Sequence, residues 1–106
     1  NMKRTNYATE LGTKDVGNKV TLMGWVHRRR DLGGLIFIDL RDVSGLIQIV
    51  FKPEDEEVIE KAHKLRNEYV FAVSGNVIMR DEKNINKDMP TGEIEIEANS
   101  LNILNT

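Results

Sequence analysis

Two short runs joined by a polar turn constrain this chain more than any other feature. In Leu35 to Asp42, LIFIDLRD, the residues Ile36, Ile38 and Leu40 fall on one side, and Leu35, Phe37, Asp39 and Arg41 on the other, because successive side chains of a strand point to opposite faces. Phe37 therefore shares its face with charged residues, whereas a core phenylalanine is expected at the parity of Ile36 and Ile38. In Leu46 to Phe51, Ile47, Ile49 and Phe51 alternate with Leu46, Gln48 and Val50, and Gln48 is the odd residue. A hairpin closed by Asp42-Val43-Ser44-Gly45 opposes Arg41 to Leu46, Asp39 to Gln48 and Phe37 to Val50. Phe37 and Gln48 then become diagonal neighbours on one face, close enough for long side chains to act together. A turn one residue shorter or longer separates them.

The flanking segments extend this pattern. Lys19 to Arg30 reads as a long first strand, with Val20, Leu22, Gly24 and Val26 alternating against Thr21, Met23, Trp25 and His27; Gly24 inside it predicts a bulge or bend. Asp31 to Gly34 is the loop into the second strand. Pro53 is expected to open a helix with Val58, Ile59, Ala62 and Leu65 on one stripe. Its early acids, Glu54 to Glu57, and its late bases, Lys61, Lys64 and Arg66, suit the helix dipole. The acidic run is thus read as a helix start rather than a binding site.

Tyr69 to Met79 returns to a strand pattern with a bend at Gly75, and Arg80 to Gly92, polar and containing Pro and Gly, is expected to be an exposed loop. Glu93 to Leu104 is a last strand, with Ile94, Ile96 and Ala98 inward and Glu93, Glu95 and Glu97 outward. Residues 3–17 carry no clear period and read as a lead-in arm, and Asn1, standing before Met2, reads as a tag remnant outside the fold. Five strands with one helix between the third and fourth predict an all-β protein, a five-stranded OB-fold Greek-key barrel. Strands 2 and 3, with the loops between strands 1 and 2 and strands 4 and 5, form the usual binding face of that barrel. Phe37, Gln48, Asp31 to Gly34 and Arg80 to Gly92 fall there.

The 106 residues suffice for one domain and one core, so residues 1–106 are expected to form a single unit. The formal net charge of −2 argues mildly against a nucleic-acid partner. Distribution matters more, because Arg28, Arg29 and Arg30 stand well apart in sequence from Glu54, Asp55, Glu56 and Glu57, and a local basic patch holds phosphates on an acidic chain. Cysteine is absent, which excludes disulfides and thiolate metal sites. No apolar run reaches bilayer-spanning length and no signal-peptide core opens the chain, so a cytoplasmic location and no membrane partner are expected.

The candidate functional residues each carry a second, plainer reading. Phe37 is a stacking platform for a base or a residue packed at a barrel rim, and its parity and flanking charges favour stacking. Gln48 offers both a donor and an acceptor to a base edge, or is a satisfied polar residue on a half-exposed sheet. Arg28 and Arg30 share a parity and are placed to hold phosphates or a base, while Arg29 points the other way and is expected to be solvated. Glu95 can accept from the N–H groups of a guanine edge, although alternation alone makes Glu93, Glu95 and Glu97 a solvated face. His27 and His63 have no metal-ligand spacing, Trp25 reads as core, and no catalytic or metal-binding constellation is evident.

KRTNYATEL at the start, GWVHRRRDLGGLIFIDLRD in the middle and RDEKNINKDMPTGEIEI near the end together resemble the N-terminal anticodon-binding domain of bacterial aspartyl-tRNA synthetases, over nearly the whole chain. The resemblance implies a partner, the anticodon loop of aspartate tRNA, with Phe37 stacked on the central U and Gln48 and Arg30 hydrogen-bonded to it. It implies that Glu95 reads the first base, a G or modified G, and that the loop carrying Arg80, Asn84 and Asn86 approaches the third. Leu32 and Lys83 resemble the type found where only aspartate tRNA is accepted. It further implies a parent homodimer whose class II catalytic domain, using ATP and magnesium, contacts this one. Nothing follows Thr106, so the expectation is a fragment that binds tRNA without catalysing and needs no cofactor itself. A general single-strand-binding OB domain is the alternative.

Overall fold

The side chains that alternation sends inward are the ones that fill the interior. Ile36, Ile38, Leu40, Ile47, Ile49 and Phe51 are each at most 1% exposed, and burying a side chain of this kind contributes roughly 1.5–3 kcal/mol. The structure is a computed structural model that describes residues 2–105, so the tag reading of Asn1 lies outside the described residues. Its strands are β1 (Lys19–Leu32), β2 (Leu35–Asp42), β3 (Gly45–Phe51), β4 (Val70–Met79) and β5 (Ile94–Asn105), with α1 (Glu56–Ala62) between β3 and β4. They close in the order β1-β2-β3-β5-β4, with β4 returning to pair with β1. Closure between β3 and β5 is a short parallel contact, Ile49 beside Ile96 and Val50 beside Glu97. This is the five-stranded OB topology, with its helix where the pattern placed it.

The β2–β3 register is the expected one: Arg41 opposes Leu46, Asp39 opposes Gln48 and Phe37 opposes Val50. Asp42 fixes the turn. Its Oδ1 accepts from the Ser44 hydroxyl at 2.6 Å, the Ser44 amide at 2.8 Å and the Gly45 amide at 3.2 Å. Its Oδ2 accepts from the Ala8 amide at 2.7 Å, which ties the lead-in arm to the hairpin. That arm is more than a tether, because Ala8 and Leu11 are buried in the core. Two isolated apolar residues in a polar segment give no periodic signal, so the sequence pattern passed over them.

β1 departs from expectation in one consequential way. The bulge lies at His27 and not at Gly24: Val26 pairs with Leu40 and Arg28 with Asp39, leaving His27 as the extra residue. Gly24 answers a different demand. A Cβ there would stand 2.2 Å from the Arg41 carbonyl oxygen, so only glycine lets β1 pass β2 as it leaves its pairing with β4. Gly75 faces a bulge rather than forming one: Ser74 pairs with Ser100 and Gly75 with Ala98, leaving Asn99 of β5 as the extra residue, and a Cβ at Gly75 would stand 2.2 Å from the Glu97 carbonyl oxygen.

The helix is shorter than its apolar stripe. Pro53 sits in the preceding turn, and Asp55 is the N-cap, its carboxylate accepting from the Val58 amide at 3.2 Å and satisfying one of the first-turn donors. Lys64, Leu65 and Arg66 lie beyond the end of α1. Arg29 closes that end: its Nη1 donates to the carbonyls of Ala62, His63 and Leu65 at 3.4, 3.0 and 2.8 Å. A fork of two 2.8 Å bonds ties the same guanidinium to Asp31, lowering the Asp31 pKa and raising that of Arg29. β1 runs on through Asp31 and Leu32, which the sequence pattern assigned to the loop, so Arg29 is a strut between the end of β1 and α1 rather than a solvated arginine. Arg66 Nη1 also donates to the His63 and Leu65 carbonyls and the Leu65 amide to that of Ala62, so Arg29→Met strands none of the three and is expected to lose about 0.5–1.5 kcal/mol, read as a lower urea midpoint at unchanged slope.

Burial alone would raise the Asp42 pKa, but hydrogen bonds from Ser44, Ala8 and Gly45 outweigh it and hold the carboxyl below the usual carboxylate range. The stabilisation from a lowered folded-state pKa is complete above the unfolded value of about 3.9 and is lost as pH falls through the folded value. Asp42→Ala, which strands the Ala8, Ser44 and Gly45 amides, is expected to cost about 1–3 kcal/mol at neutral pH. Urea unfolding against pH should show the gap between wild type and variant narrowing only in the acid range, below about pH 4.

Candidate nucleic-acid interface

Cross-strand partners project from the same side of a sheet, so the His27 bulge decides what the outer face of β1 and β2 carries. In an unbroken register Val26 beside Leu40 would be followed by His27 beside Asp39 and Arg28 beside Ile38, aiming Arg28 and Arg30 at the core. The extra residue instead sets Arg28 beside Asp39 and Arg30 beside Phe37. Both arginines therefore share the outer face with Phe37, while Arg29, beside Ile38, is sent toward α1. The shared parity of Arg28 and Arg30 is as the sequence indicated, but its direction was set by a bulge that no glycine or proline signals.

On this face four side chains form a continuous row. The Arg30 guanidinium carbon lies 5.5 Å from the centre of the half-buried Phe37 ring, within cation–π range. Arg30 Nη2 donates to Gln48 Oε1 at 2.9 Å, and Gln48 Nε2 donates to Glu95 Oε1 at 2.8 Å. Gln48 is buried, so its amide is held rather than free. The three glutamates expected to face outward have different surroundings, and Glu93 lies in the turn just before β5. Glu95 joins the row, Glu97 pairs with Lys52, and Glu93 is exposed.

The 80–92 segment is less exposed than expected. Arg80 is 7% and Thr91 1% exposed, and Thr91 Oγ1 donates to the Leu46 carbonyl at 2.7 Å, pinning the loop to β3. Arg80 Nε donates to the Ile94 carbonyl at 2.9 Å and Nη1 to the Asn84 carbonyl at 3.3 Å. Burial pulls the Arg80 pKa down, opposed by the carboxylates of Glu95 and Asp39; an arginine stays charged regardless. Arg80 is thus first a prop beneath the loop. Asn86 is partly committed too, its Oδ1 accepting from the Asp88 amide at 2.9 Å. Asn84 and Lys83 are exposed on the short 3-10 turn Glu82–Asn84, and Leu32 is 54% exposed at the end of β1.

Two adjoining hollows result, of about 110 Å³ and 180 Å³. Arg30, Gln48, Arg80 and Asn84 line both; Leu32 and Phe37 complete the first, while Arg28, Asp39, Asn86 and Met89 belong to the second. The structure therefore gathers every candidate except Lys83 and Glu95 around these hollows, with Glu95 joined to them through Gln48. Met89 was missed, since one methionine in a polar loop carries no pattern. A hollow of about 270 Å³ elsewhere sets Glu54, Asp55 and Glu97 against a single cation, Lys52, that is already paired with Glu97, and is electrostatically unsuited to phosphates. The gathered face instead offers an aromatic platform, three arginines, and amides and a carboxylate at hydrogen-bonding height. Such a set stacks unpaired bases and reads their edges.

Among the described residues no helix is long and apolar enough to cross a membrane. The chain is 59% identical over 104 residues to an aspartate–tRNA(Asp/Asn) ligase of Halothermothrix orenii, covering 97% of this chain and 18% of that protein. It is 56% identical over 99 residues to an aspartate–tRNA ligase of Oceanobacillus iheyensis, covering 92% and 17%. The chain thus spans less than a fifth of the length of these relatives. Asparaginyl-tRNA synthetase from Pyrococcus horikoshii, complexed with asparaginyl-adenylate, superposes with a TM-score of 0.80 at 30% identity over 99% of this chain and 23% of that one. An OBody bound to hen egg-white lysozyme gives a TM-score of 0.85 at 21% identity, covering 99% and 96%, a likeness of fold alone. Residues 20–104 match the family model for the tRNA anti-codon OB-fold nucleic acid binding domain, and the chain belongs to that family.

Proposed function

We propose that residues 1–106 form one recognition unit that grips the anticodon loop of aspartate tRNA. The observation that carries this reading is the unbroken row Phe37, Arg30, Gln48 and Glu95 on one face, in a domain whose relatives are named as aspartate–tRNA ligases. Phe37 stacks on the central U, and Arg30 and Gln48 hydrogen-bond its edge. Glu95, an acceptor only, takes the N–H groups of the guanine at the first position. Asn84 and Asn86, on the loop propped by Arg80, meet the third base, and Arg28 neutralises backbone phosphate.

The parent protein on this reading is a cytoplasmic, homodimeric class II ligase. Its separate catalytic domain uses ATP and magnesium to join aspartate to tRNA, and this fragment binds without catalysing. Leu32 and Lys83, by their resemblance to the discriminating type, favour restriction to aspartate tRNA, against the broader name of the Halothermothrix orenii relative.

Titration with an anticodon stem-loop of aspartate tRNA, and with the same hairpin carrying a replaced central U, tests the reading. Wild type should prefer U, and Phe37→Ala should shrink that preference by about 1–3 kcal/mol, the range for one stacked base. Equal binding of both hairpins, unaffected by Phe37→Ala, would instead indicate general single-strand binding. A second comparison addresses Leu32 and Lys83: an anticodon ending in C should bind more tightly than one ending in U, and comparable affinities contradict the restricted type.

A further inference from the structure

The polar groups of the row are chemically unequal in a way that links them. An arginine only donates and a carboxylate only accepts. With Arg30 at one end and Glu95 at the other, the Gln48 amide has one orientation that satisfies both: carbonyl oxygen toward Arg30 at 2.9 Å and NH2 toward Glu95 at 2.8 Å. Turning the amide over would face donor to donor and acceptor to acceptor at once. Its backbone is equally fixed, since the flanking Ile47 and Ile49 are fully buried and Asp39 pairs across from it. Gln48 itself is 3% exposed, while Arg30 and Glu95 are only partly buried. A ligand therefore reaches the two ends of the row more readily than its middle.

We infer that Gln48, whose amide keeps a second lone pair and a second N–H beyond the two bonds of the row, also couples the two ends, so that two neighbouring bases are read as one unit. This rests on the anticodon reading above. Hydrogen bonds in a shielded chain polarise one another. A base N–H that donates to Glu95 draws charge from the carboxylate, so Gln48 Nε2 meets a weaker acceptor, the amide is less polarised, and Oε1 holds Arg30 less tightly, which frees that guanidinium to donate to the second base. The correct base at one end thus prepares the other. Losing one correct base forfeits part of what the second contributes, and losing both costs less than the product of the two separate losses.

The test is a four-hairpin cycle on the wild-type chain: the aspartate-tRNA stem-loop, the same with its first base G replaced by A, with its central U replaced by C, and with both replaced. Binding is read by fluorescence anisotropy at one fixed salt concentration. The product of the two single losses should exceed the double loss by about fivefold or more. In Gln48→Met, of similar volume but without the linking amide, losses should multiply to within about twofold. Glu95→Ala should reduce selectivity for the central base as well as the first, which a residue touching only the first base would not do. Multiplicative losses in wild type, or a Glu95→Ala variant that keeps full central-base selectivity, overturn the coupling while leaving the anticodon reading intact. If neither single replacement weakens binding, the anticodon reading fails and the coupling with it. Should Gln48→Met fail to fold, the wild-type cycle and Glu95→Ala still decide the matter.

Discussion

The arrangement of this domain depends on one extra residue in β1. His27 adds a position between Val26 and Arg28, and because side chains alternate with period two, a shift of one residue exchanges the faces of everything that follows. Before the bulge, Val20, Leu22 and Val26 supply the core. After it, the same parity would drive guanidinium groups into a hydrocarbon interior, at a desolvation cost no partner there could offset. The bulge allows one continuous strand to close the barrel with its first half and to arm the outer face with its second. Bulges beside binding sites commonly re-aim side chains in this manner.

A second consequence is a division of labour among three consecutive arginines. Arg28 and Arg30 face outward on the Phe37 side, whereas Arg29 binds the carbonyls at the end of α1 and the carboxylate of Asp31. The strut ties the outer end of β1 to the helix, which holds Leu32 and Arg30 in a defined place. On the opposite side of the site, Arg80 and Thr91 do the same for the 80–92 loop through backbone carbonyls. The recognition surface therefore sits between the end of β1 and the 80–92 loop, each anchored by polar side chains. A rigid surface of this kind reduces the ordering cost of binding.

Electrostatics explains how an acidic domain suits a polyanion. The acids of residues 54–57 lie at the start of α1, where Asp55 caps the helix, and Glu97 is paired with Lys52. Arg28, Arg30 and Arg80 gather about the two hollows beside Phe37, with Asp39 alone among carboxylates lining them directly. Potential near a surface is set by charges within about 8–10 Å at ordinary ionic strength. A net charge of −2 is thus a poor guide to what this face attracts.

The sequence by itself determined the strand count, the helix between β3 and β4, the inward residues of β2, β3 and β5, and the β2–β3 register with Phe37 and Gln48 on one face. All of these follow from local alternation and turn length, which the chain states directly. It determined less where the signal is one residue deep. The bulge at His27, the burial of Ala8 and Leu11, the early end of α1 and the inward role of Arg29 leave no periodic trace. The prop role of Arg80 depends on carbonyls four and fourteen residues away, and the orientation of the Gln48 amide depends on Arg30 and Glu95, 18 and 47 residues distant. Only tertiary structure decides such matters, because a hydrogen bond takes its partner from whatever the fold brings within about 3 Å, and sequence separation does not limit which groups those are.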